Sequence, residues 1–311
     1  MKQTFLKYTF LFMLSAAMVS CDKDKDKEAD APTLDTYLKG EAQLSMFSKA
    51  LDKAGLESFK NGVGPFTWFV PTNDAFTAAL ITEDSLNKMT PGQINYLLMY
   101  HLVNAKLSSG DMVAVNSTPR STQLGSGNGQ IYIASLNNEN YINGSKVIKR
   151  DNAVSNGYVH VINRFNVPPV LKGNLQGVLR TTNNHTLFIE ALTRANLWTT
   201  LGSASVFTVF APTDEAMTAA GYTSSSIAAT PVATLAAAMR YHYILNIRLF
   251  SNDLNRASIP ATAAGSSSYL TTSENGTKVK GKNNIAAVSI VTPNILGTNG
   301  VVHVIDGVLK P

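Results

Sequence analysis

Apolar residues recur at helical spacing in two windows of the chain, and the windows are alike. Met46, Phe47, Ala50, Leu51 and Ala54 share one face of a 3.6-residue period, and Leu187, Phe188, Ala191, Leu192 and Ala195 repeat the pattern. Each window predicts a helix with a core-facing stripe. Beyond each comes a run that is apolar or aromatic on both faces, Phe66-Thr67-Trp68-Phe69-Val70 and Phe207-Thr208-Val209-Phe210-Ala211, as a buried strand requires. Pro71 and Pro212 then turn the chain, Thr72 and Thr213 suit helix N-caps, and Asp74 and Glu215 fall in the first turn, where negative charge favours the helix dipole. A second helix is predicted from Thr90-Pro91 through Ile94, Leu97, Leu98 and His101. Its counterpart runs from Thr230-Pro231 through Leu235, Ala238, Met239 and His242, again with Thr as N-cap and Pro at the first helical position.

The remainder of each half reads as strands. Residues 130–136 and 141–148 are separated by Asn137-Asn138-Glu139-Asn140, and residues 269–274 turn at Asn275-Gly276 into 277–280, a dipeptide that tolerates the positive φ of a tight hairpin. Gly125-Ser126-Gly127-Asn128-Gly129 lacks the following Lys and helix of a phosphate-binding loop and reads as an ordinary loop. The second helix window follows the first at a displacement of 141 residues (187 less 46), which also holds for the strand runs and for Tyr100-His101 against Tyr241-His242. Near the ends, Asn156-Gly157-Tyr158-Val159-His160-Val161-Ile162-Asn163 matches Asn299-Gly300-Val301-Val302-His303-Val304-Ile305-Asp306 at a displacement of 143 (299 less 156). A unit of this length is a domain and not a solenoid repeat. The organisation that follows is two α+β domains, residues 33–169 and 170–311, joined where Val167-Pro168-Pro169 stiffens the connection.

Composition excludes one class of partner and sets the N-terminus apart. Charged residues are 15% of the chain, below the roughly 25% of ordinary soluble domains, and the formal net charge of +5 is carried by scattered Lys and Arg, so nucleic acid has no electrostatic footprint here. Residues 1–20 form a signal peptide: Lys2 and Lys7 give a positive start, and the apolar run from Tyr8 to Val19 is too short to span a bilayer comfortably. Cys21, the single cysteine, stands right behind Ser20 at the end of that run. It resembles the lipidated cysteine of a bacterial lipoprotein, with Met18 where Leu is usual. Residues 21–32 continue as the lipidated Cys and a charged tether, Asp22-Lys23-Asp24-Lys25-Asp26-Lys27-Glu28, which cannot offset its ordering entropy. With Cys21 acylated no disulfide is available, so packing alone must hold the domains. The expected location is the outer membrane, lipid-anchored, and acidic and Lys residues behind the lipid cysteine resemble the signal for display on the outer face in Bacteroidetes lipoproteins.

The paired motifs themselves resemble the fasciclin (FAS1) domain family: Phe-Thr-Trp-Phe-Val-Pro-Thr-Asn-Asp-Ala-Phe from Phe66 and its copy from Phe207, the Tyr-His pairs, and Asn-Gly-x-Val-His-Val-Ile-Asn/Asp near each end, in the family's order and twice. Departures are Asn163 in place of an acid and Met217 where the first copy has Phe76. The resemblance implies two tandem fasciclin-like domains, each a compact β-sandwich or wedge with several helices. In animal members the Tyr-His region is implicated in receptor binding, which carries over to Tyr100, His101, Tyr241 and His242. Their alignment with Leu97, Leu98 and Met239 on the same helices supports the other reading, core residues whose loss unfolds the domain.

For chemistry, the candidates are His101 and His242 from the second helices and His160 and His303 from the last strands. Alternation places His160 on the strand face of Tyr158 and Ile162, with Asn73, Asp74 or Tyr100 within the set of hydrogen-bond partners to be considered. A polar strut between helix and sheet is the reading these positions favour. Two histidines without an acid or thiolate make a poor zinc site, and no nucleophile elbow, Walker loop, dinucleotide fingerprint or zinc-protease helix is present. The expectation is therefore no enzyme, no cofactor and no metal. The expected role is adhesion or binding to extracellular protein, matrix or glycan. The alternative is an accessory glycan-binding lipoprotein of an outer-membrane nutrient-uptake system, against which Trp68 and Trp198 both read as buried or half-buried. A hydrolase using His101 with His160 is the third class.

Overall fold

Both double-faced runs are strands at the centre of a sheet. The computed structural model describes residues 31–113, 117–255 and 259–311, so the signal peptide, Cys21 and the tether through Asp30 lie outside the described residues. The first unit contains β1 (Phe66–Pro71), β2 (Leu102–Val103), β3 (Thr118–Thr122), β4 (Gly125–Leu136), β5 (Glu139–Ile142), β6 (Ser145–Val154) and β7 (Gly157–Ile162), hydrogen-bonded in the order β2-β1-β7-β6-β5-β4-β3. The second contains β8 (Phe207–Pro212), β9 (Tyr243–Leu245), β10 (Thr271–Ser273), β11 (Lys278–Lys280), β12 (Val288–Gly297) and β13 (Gly300–Ile305), in the order β10-β11-β12-β13-β8-β9. In each unit the first and last strands pair in parallel, Phe66 opposite Gly157 and Phe207 opposite Gly300. This closes the unit between its beginning and its end.

Each sheet is curled, and two equivalent residues mark where. β6 and β12 shift register against β7 and β13, and within those shifts Asp151 (φ +57°) and Asn294 (φ +64°) take the left-handed conformation that Asp and Asn tolerate best. The curl creates two apolar layers per unit. In the first, Trp68, Val70, Val159 and Val161 face the helices, packing with Phe47, Leu51 and Leu98, whereas Phe69 and Ile162 face inward against Ile131, Ile133, Ile142 and Val147. In the second, Val209, Ala211, Val302 and Val304 face the helices, and Phe210 and Ile305 face Ile244, Val279 and Val288. The wedge of sheet and helices expected for fasciclin domains is therefore present twice.

Local expectations hold where a single side chain decides them. The first helices are Ser45–Lys53 and Thr186–Arg194, and the Thr72 and Thr213 hydroxyls accept from the Ala75 and Ala216 N–H groups at 3.2 and 3.1 Å. Such caps contribute about 1 kcal/mol each. Thr90 caps Pro91–Met99 in a full capping box with Gln93.

Four expectations are corrected. Thr230 does not cap the second copy of that helix: it is Val232–Arg240 with Pro231 at the N-cap, and the Thr230 hydroxyl donates instead to Ser226 O, closing the preceding helix. Neither of these helices reaches its histidine; both end at a Tyr C-cap, Tyr100 or Tyr241, with His101 and His242 one residue beyond. The run 141–148 is two strands, because Asn143 (φ +51°) and Gly144 (φ +73°) form a tight turn, and the preceding turn is only Asn137-Asn138. The glycine-rich segment from Gly125 belongs to β4.

The two units also share a core. Phe250, Leu296 and Val301 of the second unit join the inward-facing apolar cluster of the first, and residues 31–311 form one compact unit. Tyr132 is the hinge pin of this contact: its ring lies 5.6 Å from that of Phe250, the Arg248 guanidinium sits 4.5 Å over its face, and Arg248 Nη1 donates to its hydroxyl at 2.6 Å. Arg164 Nη2 donates to Pro293 O at 2.8 Å, and the Ser117 hydroxyl donates to the Asp253 carboxylate at 2.7 Å. Gly144 is needed here as well, since a Cβ on it would sit 2.3 Å from Asn294 Nδ2 across the junction. A shared core makes unfolding cooperative across the units. Tyr132→Ala should therefore split a single thermal transition in scanning calorimetry into two; two separate transitions already in the unaltered chain would contradict the shared core.

Candidate functional site

The Tyr-His pairs sit where a helix ends against two other parts of the same unit. The Tyr100 hydroxyl donates to Gln130 O at 2.8 Å and accepts from Asn143 Nδ2 at 3.2 Å; the Tyr241 hydroxyl donates to Tyr269 O and accepts from the Lys282 N–H, both at 3.1 Å. His101 Nδ1 donates to Leu97 O at 2.9 Å and its Nε2 accepts from the Asn166 N–H at 3.1 Å, while His242 does the same with Ala238 O at 3.1 Å and the Leu309 N–H at 3.0 Å. Each imidazole thus links the end of a helix to the segment after the last strand. All four residues are at most 1% exposed. Burial holds His101 and His242 at about 4, the bonds to Leu97 O and Ala238 O opposing it only in part. Both are neutral at pH 7.

The strand histidines belong to a different device. His160 Nε2 donates to Leu107 O and His303 Nε2 to Leu249 O, each at 2.8 Å, with the imidazoles stacked 5.5 Å from Phe69 and Phe210. The N–H groups of the same two leucines donate to the Thr67 and Thr208 hydroxyls at 2.8 and 2.9 Å, and these hydroxyls donate onward to Ala105 O and Ile247 O. The third point is the curled strand: Asp151 accepts from the Ser109 N–H at 2.6 Å and Asn294 from the Ser251 N–H at 2.8 Å. One loop in each unit is therefore clamped by Thr, His and Asx. His160 Nδ1 accepts from the Asp151 N–H at 3.2 Å, but His303 Nδ1 has no partner among the described residues. Burial is the main cause that lowers His303 to about 4, and the Arg164 charge reaching across from the first unit lowers it further.

The sequence-predicted partners of these histidines are elsewhere. Asn73 accepts from the Met46 N–H at 3.0 Å, as Asp214 does from the Leu187 N–H at 2.8 Å, starting the first helices; Asp74 and Glu215 sit in the first turns that follow. Tyr100 bonds strands β4 and the β5–β6 turn. His101 and His160 share no partner, and among the described residues no group of three or more His, Cys, Asp or Glu could hold a metal ion. Thr67 and Thr208 were missed in the sequence, although a hydroxyl in an otherwise apolar central strand is a signal that it is bonded.

A recess lies between the two domains. A cleft of about 700 Å³ is bounded by Ala75 to Leu80, the Arg164–Val167 segment, the connection at Lys172, the turn at Thr182 to His185 and the Val291–Leu296 part of β12. Among the described residues its lining includes Arg164, Lys172 and His185 and no carboxylate. Burial pulls all three below their ordinary values; for His185 the bond to Pro212 O and the Asp214 charge oppose it. Taking cations out of water without partners costs several kcal/mol after relaxation. Sequence reading passed over this trio because its members come from separate segments.

The family model for the fasciclin domain matches residues 42–168 and again 183–311. The chain belongs to the fasciclin family. Its two fasciclin domains are similar to the transforming growth factor-beta-induced protein ig-h3 of Sus scrofa, 26% identical over 277 residues, which are 88% of this chain and 37% of that protein. They are also similar to a fasciclin-like arabinogalactan protein of Arthroderma benhamiae, 31% identical over 63% of this chain and 42% of that protein. The chain thus spans less than half the length of either relative. A solved FAS1 domain pair from the insect cell adhesion molecule fasciclin I aligns with 86% of this chain and 97% of that one, at 19% identity and a TM-score of 0.42.

The neutral histidines of the fasciclin domains make stability depend on pH in a definite direction. His101, His242 and His303 have folded values of about 4 against 6.5 unperturbed. Between those values the unfolded chain binds protons that the folded one does not, so their contribution is complete above about pH 6.5 and is lost as pH falls toward 4. The melting temperature should be level from pH 8 to 7 and drop steadily from 6.5 to 4. A level profile down to pH 4 would be incompatible with neutral buried imidazoles.

Proposed function

We propose that this is a non-enzymatic lipoprotein of the outer membrane, acylated at Cys21, that holds its fasciclin pair outside the cell to mediate adhesion or binding to extracellular protein, matrix or glycan. The observation that carries the reading is the match of the fasciclin family over both domains, since such domains occur in cell-adhesion proteins. The N-terminal sequence supports the anchor: a short apolar run ends at the single cysteine, and a charged tether follows. No helix of the described residues is long and apolar enough to cross a membrane.

Tyr100, His101, Tyr241 and His242 are placed in this reading as supports of the binding surface. They are buried, and every polar atom named above for them is bonded within its own domain. A partner touches what they hold in place. Two domains joined by a shared core present their surfaces at a fixed spacing, which favours a repetitive target over two independent ones.

A second reading, an accessory glycan-binding lipoprotein of a nutrient-uptake system, is favoured by one observation, the cationic cleft between the domains. Aromatic platforms do not add to it: Trp68 is fully buried and Trp198 is half-buried with Arg180 over its ring at 5.2 Å. Soluble residues 31–311, supplied as a competitor, should reduce attachment of cells that carry the protein. Protease treatment of unbroken cells should remove it. Attachment unchanged on every surface tested sinks the adhesion reading, and full protection from protease places the protein inside.

A further inference from the structure

The cleft between the fasciclin domains is lined by polar groups whose hydrogen-bonding capacity the fold uses only in part. Arg164 spends one Nη on Pro293 O, and its remaining guanidinium N–H groups have no partner among the described residues. Lys172 Nζ has none either, although the residue is half-buried in the connection between the domains. His185 is 2% exposed, and because its Nδ1 donates to Pro212 O at 2.8 Å, the neutral ring presents the lone pair of Nε2. The acids nearest this wall are engaged elsewhere: Asp214 accepts from the Leu187 N–H and Glu215 from Asn184 Nδ2. Half-buried cations with no counter-charge among the described residues lining a recess of about 700 Å³ describe a receptor for an anionic group on a small ligand.

We infer that this cleft binds a carboxylate-bearing saccharide, with Arg164 and Lys172 holding the carboxylate and His185 accepting a sugar hydroxyl; the inference rests on the reading of the protein as a binder of extracellular partners. The choice of a saccharide over an acidic peptide follows from the remaining lining. A peptide brings N–H donors in search of carbonyls, and the Pro293 carbonyl in the lining already accepts from Arg164. A sugar brings hydroxyls that both donate and accept, which suits the His185 lone pair and the exposed side chains of Asn183 and Thr292. Leu80 and Val291, 85% and 53% exposed, supply apolar surface at the rim for the C–H face of a ring.

Calorimetric titration of the full chain with trigalacturonate, neutral galactotriose and tetraglutamate tests this. Saturable binding is expected for trigalacturonate only, weakened about tenfold or more in Lys172→Gln and in Arg164→Gln. Lys172→Gln removes no hydrogen bond, so its melting temperature should match that of the unaltered chain and loss of binding cannot be put down to unfolding. The inference is overturned if folded protein gives no saturable heat with trigalacturonate at millimolar concentration, if Lys172→Gln binds it unchanged, or if tetraglutamate is preferred. Attachment of cells carrying Lys172→Gln is scored beside it: binding of the saccharide lost with attachment intact upholds the cleft and refutes attachment through it.

Discussion

Everything in each domain depends on a polar clamp set into an apolar layer. The parallel pair of first and last strands is buried on both faces, yet one threonine and one histidine of that pair, Thr67 with His160 and Thr208 with His303, reach a single loop residue from both sides. A hydrogen bond of this kind contributes roughly 1 kcal/mol net, but leaving its partner buried and unpaired costs about 1–3 kcal/mol, so the loop is held chiefly by the penalty of releasing it. The Asx residue at the curl adds the third point. Because that residue also sets the register shift that bends the sheet, the clamp and the curvature are one feature.

The Tyr-His pairs extend the same logic to the other side of the sheet. A helix of nine residues is short for independent stability, and here its final turn is tied through an imidazole to the segment that closes the domain. In the first domain that segment includes Arg164 and runs on into the connection. The two copies also differ. Where the first domain gives its strand histidine a second partner, the second leaves His303 Nδ1 unpaired with the Arg164 charge acting on it, and the junction of the domains passes through this asymmetry.

Much of this was legible in the sequence. The helical stripes, the strands from Phe66 and Phe207, the caps Thr72, Thr213 and Thr90, and the inward alternation of His160 were all readable, because each depends on one residue type at one local spacing. Thr230 and the turn at Asn143-Gly144 were misread for a complementary reason: a threonine before a proline suits both the end of one helix and the start of the next, and a two-residue turn inside an apolar run leaves the period of two undisturbed. Repeat comparison could have drawn out Thr67 with Thr208 and Asp151 with Asn294. The shared core and the cleft could not be read, since Tyr132, Arg164, Lys172, His185 and Arg248 meet only through tertiary packing and carry no common spacing.

These imidazoles are neutral struts of defined tautomer. Long-range nitrogen–proton correlation NMR of the histidine rings tests it directly. At pH 7 the Nδ1–H form is expected for His101 and His242 and the Nε2–H form for His160 and His303, with His101, His242 and His303 still largely neutral at pH 5. Tautomer mixtures, or an ordinary titration near pH 6.5 at any of these three, would contradict it.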